Sequence, residues 1–443
     1  MPKLRRSQNR SKVVPLPLSI GGWCLVNLGQ DPFGDAVRAP TLTDGLRSCR
    51  DAVITHVSFH DRDLYPDDAT PEIIDEKVDQ VLRLLENTGQ QVLCFTTNLF
   101  SNPCFRSGAF SSPRPEVRQA AIVKGCRSVH AARRLGATNI IFWGGREGTE
   151  VFEQDCGEAV RNYMLGARAV IVYATAQGYQ GTFTFEPKVY EPRFHSYAAT
   201  GAAMGSAIRE FFPEAELAAR VKINPEYPQH VAMLGLNPAI ELGQLIEEDL
   251  VGPCVHFGGQ PPCRMDADFA PGLGGSPTDD FHVCKLLHDA GYRGFVEFDC
   301  RPLRTSASEH AMQLFARQCV AYWRQLEHKV ALFRRDPIIR ALQAEIFGQP
   351  IAQLDDVLAI TAAGAETDSH DIIGAVNRLP FSSFAETAAI DTDAIEAFGY
   401  RVQQIVCGTH REGAAMFHGT RWAAAHTATA AKPVESVTEE ASN

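Results

Sequence analysis

At 443 residues the chain has room for two or three average domains, or for one barrel of roughly 250 residues with an extension. Its 42 Lys and Arg against 53 Asp and Glu give a formal charge of −11, and so acidic a chain argues against a nucleic-acid partner. No run approaches about 18 uninterrupted apolar residues, so no membrane span is expected; the 12 cysteines include no CxxC pair and read as small buried hydrophobes in a reducing, cytoplasmic setting.

Lys3, Arg5, Arg6, Arg10 and Lys12 have no apolar segment behind them, so residues 1–16 read as a solvated, disordered leader rather than a signal peptide. Short β-branched and aromatic runs then recur at 17–25, 53–59, 91–97, 139–143, 182–186, 220–224, 253–257 and 294–299, eight candidate strands of which the first and seventh are weakest. Helical patterns lie between them. The stretch 71–87 opens on Thr70-Pro71-Glu72, an N-cap followed by proline at the first helical position, and carries Leu82 and Leu85 on its apolar face. Stretches 115–135 and 158–177 show apolar residues at helical spacing, and 309–329 aligns Met312, Phe315, Cys319, Tyr322 and Leu326 on one face. Alternation of strand and helix argues a parallel sheet, and eight units argue closure: an α/β fold, a (β/α)8 TIM barrel over residues 17–330. An open doubly wound sheet is the alternative, but no GxGxxG follows the first strand. Residues 331–422 show only helical stretches, near 336–347 and 391–406, and read as a helical extension that packs on a neighbouring subunit. Residues 423–443, rich in Ala, Thr and Glu, read as a disordered tail.

In a barrel, the C-terminal strand ends face the active site. Those ends carry Trp23, His60, Thr96 with Thr97, Trp143, Glu186 with Lys188, Glu226, His256 and Asp299, and Asp266 and Asp268 follow the seventh strand. Singly, each has an ordinary reading: a strand-end Glu is commonly a helix cap, a DxD pair a turn, and His60 beside Asp61 and Asp63 a surface ion pair. Jointly, five carboxylates at one barrel mouth would repel one another and so imply bound cations. Oxygen-rich ligation with one imidazole suits hard divalent ions such as Mg²⁺ or Mn²⁺. Glu186 and Lys188 are two apart, so an extended backbone turns both to one side and sets an ammonium beside a metal-binding carboxylate. Asp266 and Asp268 have the same spacing and can grip one cation.

The ordered segments Asp31-Pro32-Phe33-Gly34-Asp35, Phe59-His60-Asp61-Arg62-Asp63-Leu64, Thr96-Thr97-Asn98-Leu99-Phe100, Phe142-Trp143-Gly144-Gly145-Arg146-Glu147-Gly148, Glu186-Pro187-Lys188, Asn224-Pro225-Glu226 and Phe298-Asp299 resemble the xylose (glucose) isomerase family, most nearly its shorter, actinobacterial-type members. The resemblance runs in order from about residue 17 to 330. It implies a metal-dependent aldose–ketose isomerase acting on a small-molecule aldose, in a homotetramer with an embracing C-terminal arm. It further implies that His60, oriented by Asp63, assists ring opening, that Lys188 holds the carbonyl oxygen, and that two divalent cations (Mg²⁺, with Mn²⁺ or Co²⁺ as alternatives) promote a hydride shift. Trp23, Phe100 and Trp143 would wall the substrate pocket, with Thr96 among its substrate contacts and Phe33 reaching in from a neighbouring subunit. Glu186, Glu226 and Asp299 would form the first metal site, and Glu226 would bridge to the second, with Asp266, Asp268 and a histidine.

Three positions depart from the family pattern. Three residues after Glu226 stands Gln229; counting back from Met233-Leu234-Gly235-Leu236-Asn237 selects His230 instead, with one inserted residue near Pro228, and the imidazole is the better ligand. The segment His256-Phe257-Gly258-Gly259-Gln260 is two residues shorter than its counterpart and lacks an aspartate of the first metal site. Arg301 replaces a lysine beyond Asp299. The leading expectation is a working sugar isomerase with altered metal affinity or substrate preference. A sugar-binding or regulatory relative without turnover is the second reading. A related barrel hydrolase of the DNA-repair endonuclease class is the third, and the −11 charge argues against it.

Overall fold

The structure, a computed structural model, describes residues 13–26, 41–190, 192–227, 233–264, 266–303, 308–347, 374, 377 and 392–423. Phe33, His230, the leader up to residue 12 and the tail beyond residue 423 lie outside the described residues.

Eight parallel strands build the central sheet: β1 (Leu18–Gly21), β2 (His56–His60), β3 (Gln91–Thr96), β4 (Asn139–Trp143), β5 (Thr182–Glu186), β6 (Val221–Ile223, resuming at Glu226–Tyr227), β7 (Cys254–Phe257) and β8 (Phe295–Phe298). Each strand pairs with the next, and β8 pairs back onto β1. Closure passes through the interrupted β6, whose first piece pairs with β5 and whose second pairs with β7. The interruption falls at Asn224-Pro225, where proline has no N–H to offer a ladder. Backbone bonds still tie the gap to both neighbours: Asn224 N donates to Phe185 O at 2.8 Å, and His256 N donates to Pro225 O at 2.9 Å. The architecture is the TIM barrel that strand–helix alternation predicts.

Local chemistry sets the departures from the expected bounds. β1 stops at Gly21 and a helical turn, Gly22–Val26, replaces the strand expected to run to residue 25. A Cβ on Gly22 would stand 2.6 Å from the Phe59 ring, so glycine lets the backbone pass close enough to turn there. The helix Pro71–Thr88 begins with Thr70 as N-cap, ends at left-handed Gly89 (φ +68°), and buries Ile74, Val78, Val81 and Leu85. Leu82 is only half-buried at the edge of that stripe. The helix Glu309–Arg335 extends past the expected end at 329 and buries Met312, Phe315, Cys319, Trp323, Leu326 and Val330. Tyr322, expected on its buried face, is partly buried and donates its hydroxyl to Asp280 Oδ2 at 2.5 Å.

The chain divides into two compact units, Met1–His328 and Lys329–Asn443. In the second, helices Pro337–Phe347 and Thr392–Cys407 bury Ile338, Leu342, Ala394 and Ala397 together with Ala414 and Phe417, and Arg401 pairs with Asp336 at 2.6 Å. Among the described residues this unit contains no strand, and none of the described helices in either unit is long and apolar enough to cross a membrane.

Trp323 closes the outer layer over β7. It is fully buried, meets the Phe257 ring edge-on at 5.0 Å and donates Nε1 to Glu327 Oε1 at 3.0 Å. Glu327 Oε1 also accepts from Leu16 N at 2.8 Å, which anchors the approach to β1. Trp323→Ala is expected to destabilise the protein by about 3–5 kcal/mol through cavity formation and loss of that hydrogen bond. Denaturant unfolding checks this, and a cost below about 1 kcal/mol contradicts the packing role.

Candidate active site

Strand register brings the chemistry together. His60 stands opposite Thr96, Trp143 opposite Glu186, and Glu226, His256 and Glu297 lie in one row across β6, β7 and β8. Above them opens a cavity of about 210 Å³ lined by Trp23, His60, Thr96, Phe100, Trp143, Glu186, Glu226, His256, Asp266, Asp268 and Asp299. Asp63 and Lys188 stand directly behind this lining, against His60 and Asp266 respectively.

One side of the cavity is aromatic. Trp23 and His60 have ring centroids 4.3 Å apart, His60 and Phe100 5.4 Å, and Phe100 and Trp143 4.5 Å. Arg146 Nε donates to the Phe100 carbonyl at 3.1 Å and so secures the middle of that wall. His60 Nδ1 lies 3.3 Å from Asp63 Oδ2, and the same oxygen accepts from His60 N at 2.8 Å. Burial pushes this imidazole down, but Asp63, helped by Asp299 and Asp61, outweighs burial and the net shift is upward. Asp61 turns the other way: it accepts from Asn98 N at 3.0 Å and Ser128 Oγ at 2.9 Å, and lies 3.4 Å from Lys124 Nζ. The His60–Asp63 pair therefore faces the cavity and is not an ordinary surface ion pair.

The opposite side is acidic. Glu186 Oε2 and Asp299 Oδ2 each lie 3.2 Å from His256 Nδ1. Asn224 Nδ2 donates to Glu186 Oε2 at 2.7 Å, and Trp23 Nε1 donates to Asp299 Oδ1 at 2.8 Å, so both carboxylates are aimed. A second group joins Glu226, Asp268 and Asp299, with one oxygen from each within 4.8 Å of the others. Burial, reinforced by Asp266, Asp299 and Glu226, raises the Asp268 carboxyl well above its ordinary range. Asp299 is also desolvated, but its contacts with His256 bring it below that range. Burial disfavours a charged His256, yet Glu186, Asp299 and Glu297 around it raise its pKa well above the usual value. Carboxylates and an imidazole at these separations have the donor chemistry of a divalent-cation site, and a cation there would relieve the repulsion that raises Asp268.

The two aspartates stay side by side, with Asp266 hydrogen-bonded to Asp268, but each also takes a partner of its own. Asp268 adopts a left-handed backbone (φ +46°) and joins Glu226 and Asp299, whereas Asp266 Oδ2 takes Lys188 Nζ at 2.6 Å. The Lys188 ammonium also sits 5.1 Å from the centre of the Trp143 ring. Asp299 is common to the two acidic groups. Arg301 stands at the rim, donating Nη2 to Ala267 O at 3.1 Å with Nε 3.9 Å from Asp268 Oδ2. Sequence reading missed Glu297 altogether. It is fully buried, approaches His256 Nε2 at 3.0 Å, and accepts from Ser19 Oγ at 2.6 Å and Ser58 Oγ at 2.5 Å. Its two-residue spacing from Asp299 on a strand was the available signal.

The xylose isomerase of Thermus thermophilus is 34% identical over 340 residues, which are 74% of this chain and 84% of that protein. The chain belongs to the xylose isomerase family. The xylose isomerase of Thermus caldophilus is likewise 34% identical over 346 residues, 76% of this chain and 85% of its own. No protein-family model matches. Among solved structures, an L-ribulose 3-epimerase aligns with TM-score 0.53 at 17% identity, over 76% of this chain and 100% of its own. A xylose isomerase domain protein from Alicyclobacillus acidocaldarius subsp. acidocaldarius aligns with TM-score 0.51 at 16% identity, over 72% and 99%. These two share the barrel fold with the present xylose isomerase family member.

Asp63→Asn is expected to lower the His60 pKa, because the foremost of the carboxylates that raise it against burial is gone. The stability that His60 contributes below its unfolded-state pKa, and loses as pH rises through its folded one, should shrink accordingly. Imidazole NMR titration, with His60→Gln to assign the signal, reads the shift; an unchanged pKa removes Asp63 from the role.

Proposed function

We propose that the protein is a divalent-metal-dependent aldose–ketose isomerase that converts D-xylose to D-xylulose, with D-glucose to D-fructose as the second pair to test. The observation that carries this reading is the facing of the His60–Asp63 pair and the Glu186, Glu226, Asp268 and Asp299 carboxylates across one aromatic-walled cavity. Glu186, Glu226 and Asp299 would hold one cation, and Glu226, Asp266, Asp268 and His230 a second, Mg²⁺ first among candidates with Mn²⁺ or Co²⁺ as alternatives. Such cations, when bound, polarise the oxygens on the sugar's first two carbons.

His60, polarised by Asp63, moves the proton between the anomeric hydroxyl and the ring oxygen and so opens the ring. In the open sugar the hydrogen on C2 migrates with its electron pair to C1, O2 gives up its proton to become the carbonyl oxygen, and O1 takes a proton to become a hydroxyl. Lys188 donates to the carbonyl oxygen, for which it exchanges its contact with Asp266. Thr96 binds a sugar hydroxyl. Trp23, Phe100 and Trp143, joined by Phe33 from a neighbouring subunit, exclude water so that proton exchange with solvent does not compete with the shift. The assembly is a homotetramer acting in the cytoplasm, free of nucleic acid and membrane.

Incubation of the metal-loaded protein with D-xylose, D-glucose and other aldoses, followed by NMR, tests the reading. Glu186→Gln and Asp299→Asn should each lower turnover at least about a hundredfold, roughly 2.7 kcal/mol in barrier, with circular dichroism unchanged. More than about a tenth of the wild-type rate in either variant contradicts the assignment. The shortened segment His256-Phe257-Gly258-Gly259-Gln260 favours, as a second reading, a sugar-binding relative without turnover; sugar binding with no ketose formed selects it.

Light scattering of the full chain should give four times its 48.6 kDa mass, and a monomer excludes the tetramer.

A further inference from the structure

We propose that His256 is itself a ligand of the first divalent cation, through Nδ1, and that Glu297 is the positioning residue that presents it. This rests on the reading that a cation binds at Glu186 and Asp299. Nδ1 lies 3.2 Å from Glu186 Oε2 and 3.2 Å from Asp299 Oδ2. Donor atoms about 2.1 Å from a shared ion stand roughly 3.0–3.4 Å apart, from octahedral to tetrahedral geometry. Both distances from Nδ1 therefore match a coordination shell, and ligand atoms of all three residues lie within 4.8 Å of one another.

Two further observations separate a ligand from a plain ion-pair partner. Nδ1 is buried, equidistant from two carboxylates and well aligned with neither, so no single hydrogen bond claims it. The other nitrogen is held: Nε2 lies 3.0 Å from Glu297 Oε1, while Glu297 Oε2 is occupied by Ser19 and Ser58. A carboxylate that accepts the distal ring N–H fixes the tautomer and turns the other nitrogen's lone pair outward, which is how metal-binding imidazoles are held. The residues that follow His256 offer no acid, since Phe257, Gly258, Gly259 and Gln260 come next. At this strand end the imidazole is the group suited to ligate.

Ligand type then sets metal preference. A neutral nitrogen suits Co²⁺ or Zn²⁺ better than Mg²⁺, which takes oxygen ligands almost exclusively. The first site should accordingly select borderline transition ions over Mg²⁺.

The test uses the full chain stripped with a chelator and titrated calorimetrically with Co²⁺ and, separately, Mg²⁺, beside X-ray absorption at the cobalt edge. His256→Ala should remove one nitrogen neighbour from the cobalt spectrum and weaken one Co²⁺ site at least tenfold. Glu297→Gln, nearly isosteric, keeps the imidazole and covers the case in which His256→Ala does not fold. It should weaken the same site about 10–100-fold for Co²⁺ and lower the Co²⁺-to-Mg²⁺ affinity ratio, whereas mere loosening of the barrel lowers both affinities alike. Unchanged Co²⁺ affinity and ratio in Glu297→Gln, or an unchanged nitrogen count in a folded His256→Ala, overturns the proposal. Glu186→Gln and Asp299→Asn serve as controls: if neither alters Co²⁺ binding, the cation reading of the site fails, whereas loss in both with no effect of the His256 and Glu297 variants sinks only the present inference.

Discussion

The site depends on one buried tie, the His256 imidazole held between Glu297 on one side and Glu186 with Asp299 on the other. Three carboxylates within reach of one ring would be untenable in a dry interior without positive charge among them. The imidazole meets that requirement, and its ring connects the floor of the barrel to the mouth. The connection continues sideways: Glu297 accepts from Ser19 and Ser58, and Ser58 Oγ in turn accepts from Cys94 N at 3.0 Å. On the other flank Glu186 accepts from Asn224, whose Oδ1 receives the Cys254 thiol at 3.2 Å. The barrel centre under the cavity is thus a hydrogen-bonded polar layer, and each of these groups finds its partner on another strand.

That layer explains why the mouth can carry so much like charge. Convergence of Glu226, Asp266, Asp268 and Asp299 is destabilising on its own, and burial together with these acidic neighbours raises Asp268. Asp268 also sits in the left-handed backbone region, which few non-glycine residues adopt but which aspartate tolerates. Repulsion at one end is borne by apolar packing elsewhere, with Phe257 and Trp323 among the fully buried side chains. A cation at the mouth turns the same repulsion into attraction, so the arrangement is poised for a ligand rather than for maximal stability.

Across the cavity the environment pushes titratable groups apart. His60 is raised against burial by Asp63 with Asp299 and Asp61, Asp299 is lowered by His256, and Asp268 is raised by burial and its acidic neighbours. Groups so separated can divide proton transfer from charge stabilisation within a single small cavity. The aromatic run Trp23–His60–Phe100–Trp143 lies beside both and limits water at the centre.

Much of this is legible along the chain. Strand and helix periodicity is a local property, so eight strands, their helices and the barrel they close can be read from windows of a few residues, and strand ends then name Trp23, His60, Trp143, Glu186, Glu226 and Asp299 as neighbours. What local patterns could not decide was which side chain meets which. The His256–Glu297 contact joins residues 41 apart, Lys188 and Asp266 are 78 apart, and Ser19 reaches Glu297 across 278 positions. The turn at Gly22 depends on how close Phe59 of the next strand comes. Asp266 and Asp268 meet as their spacing suggests, but through a left-handed Asp268 rather than an extended backbone, and the Lys188 contact to Asp266 is not written in that spacing. Sequence determined which residues gather at the barrel mouth, because alternation and length are written along the chain. Strand register and loop conformation decided their partners, because hydrogen bonds and charges act through space.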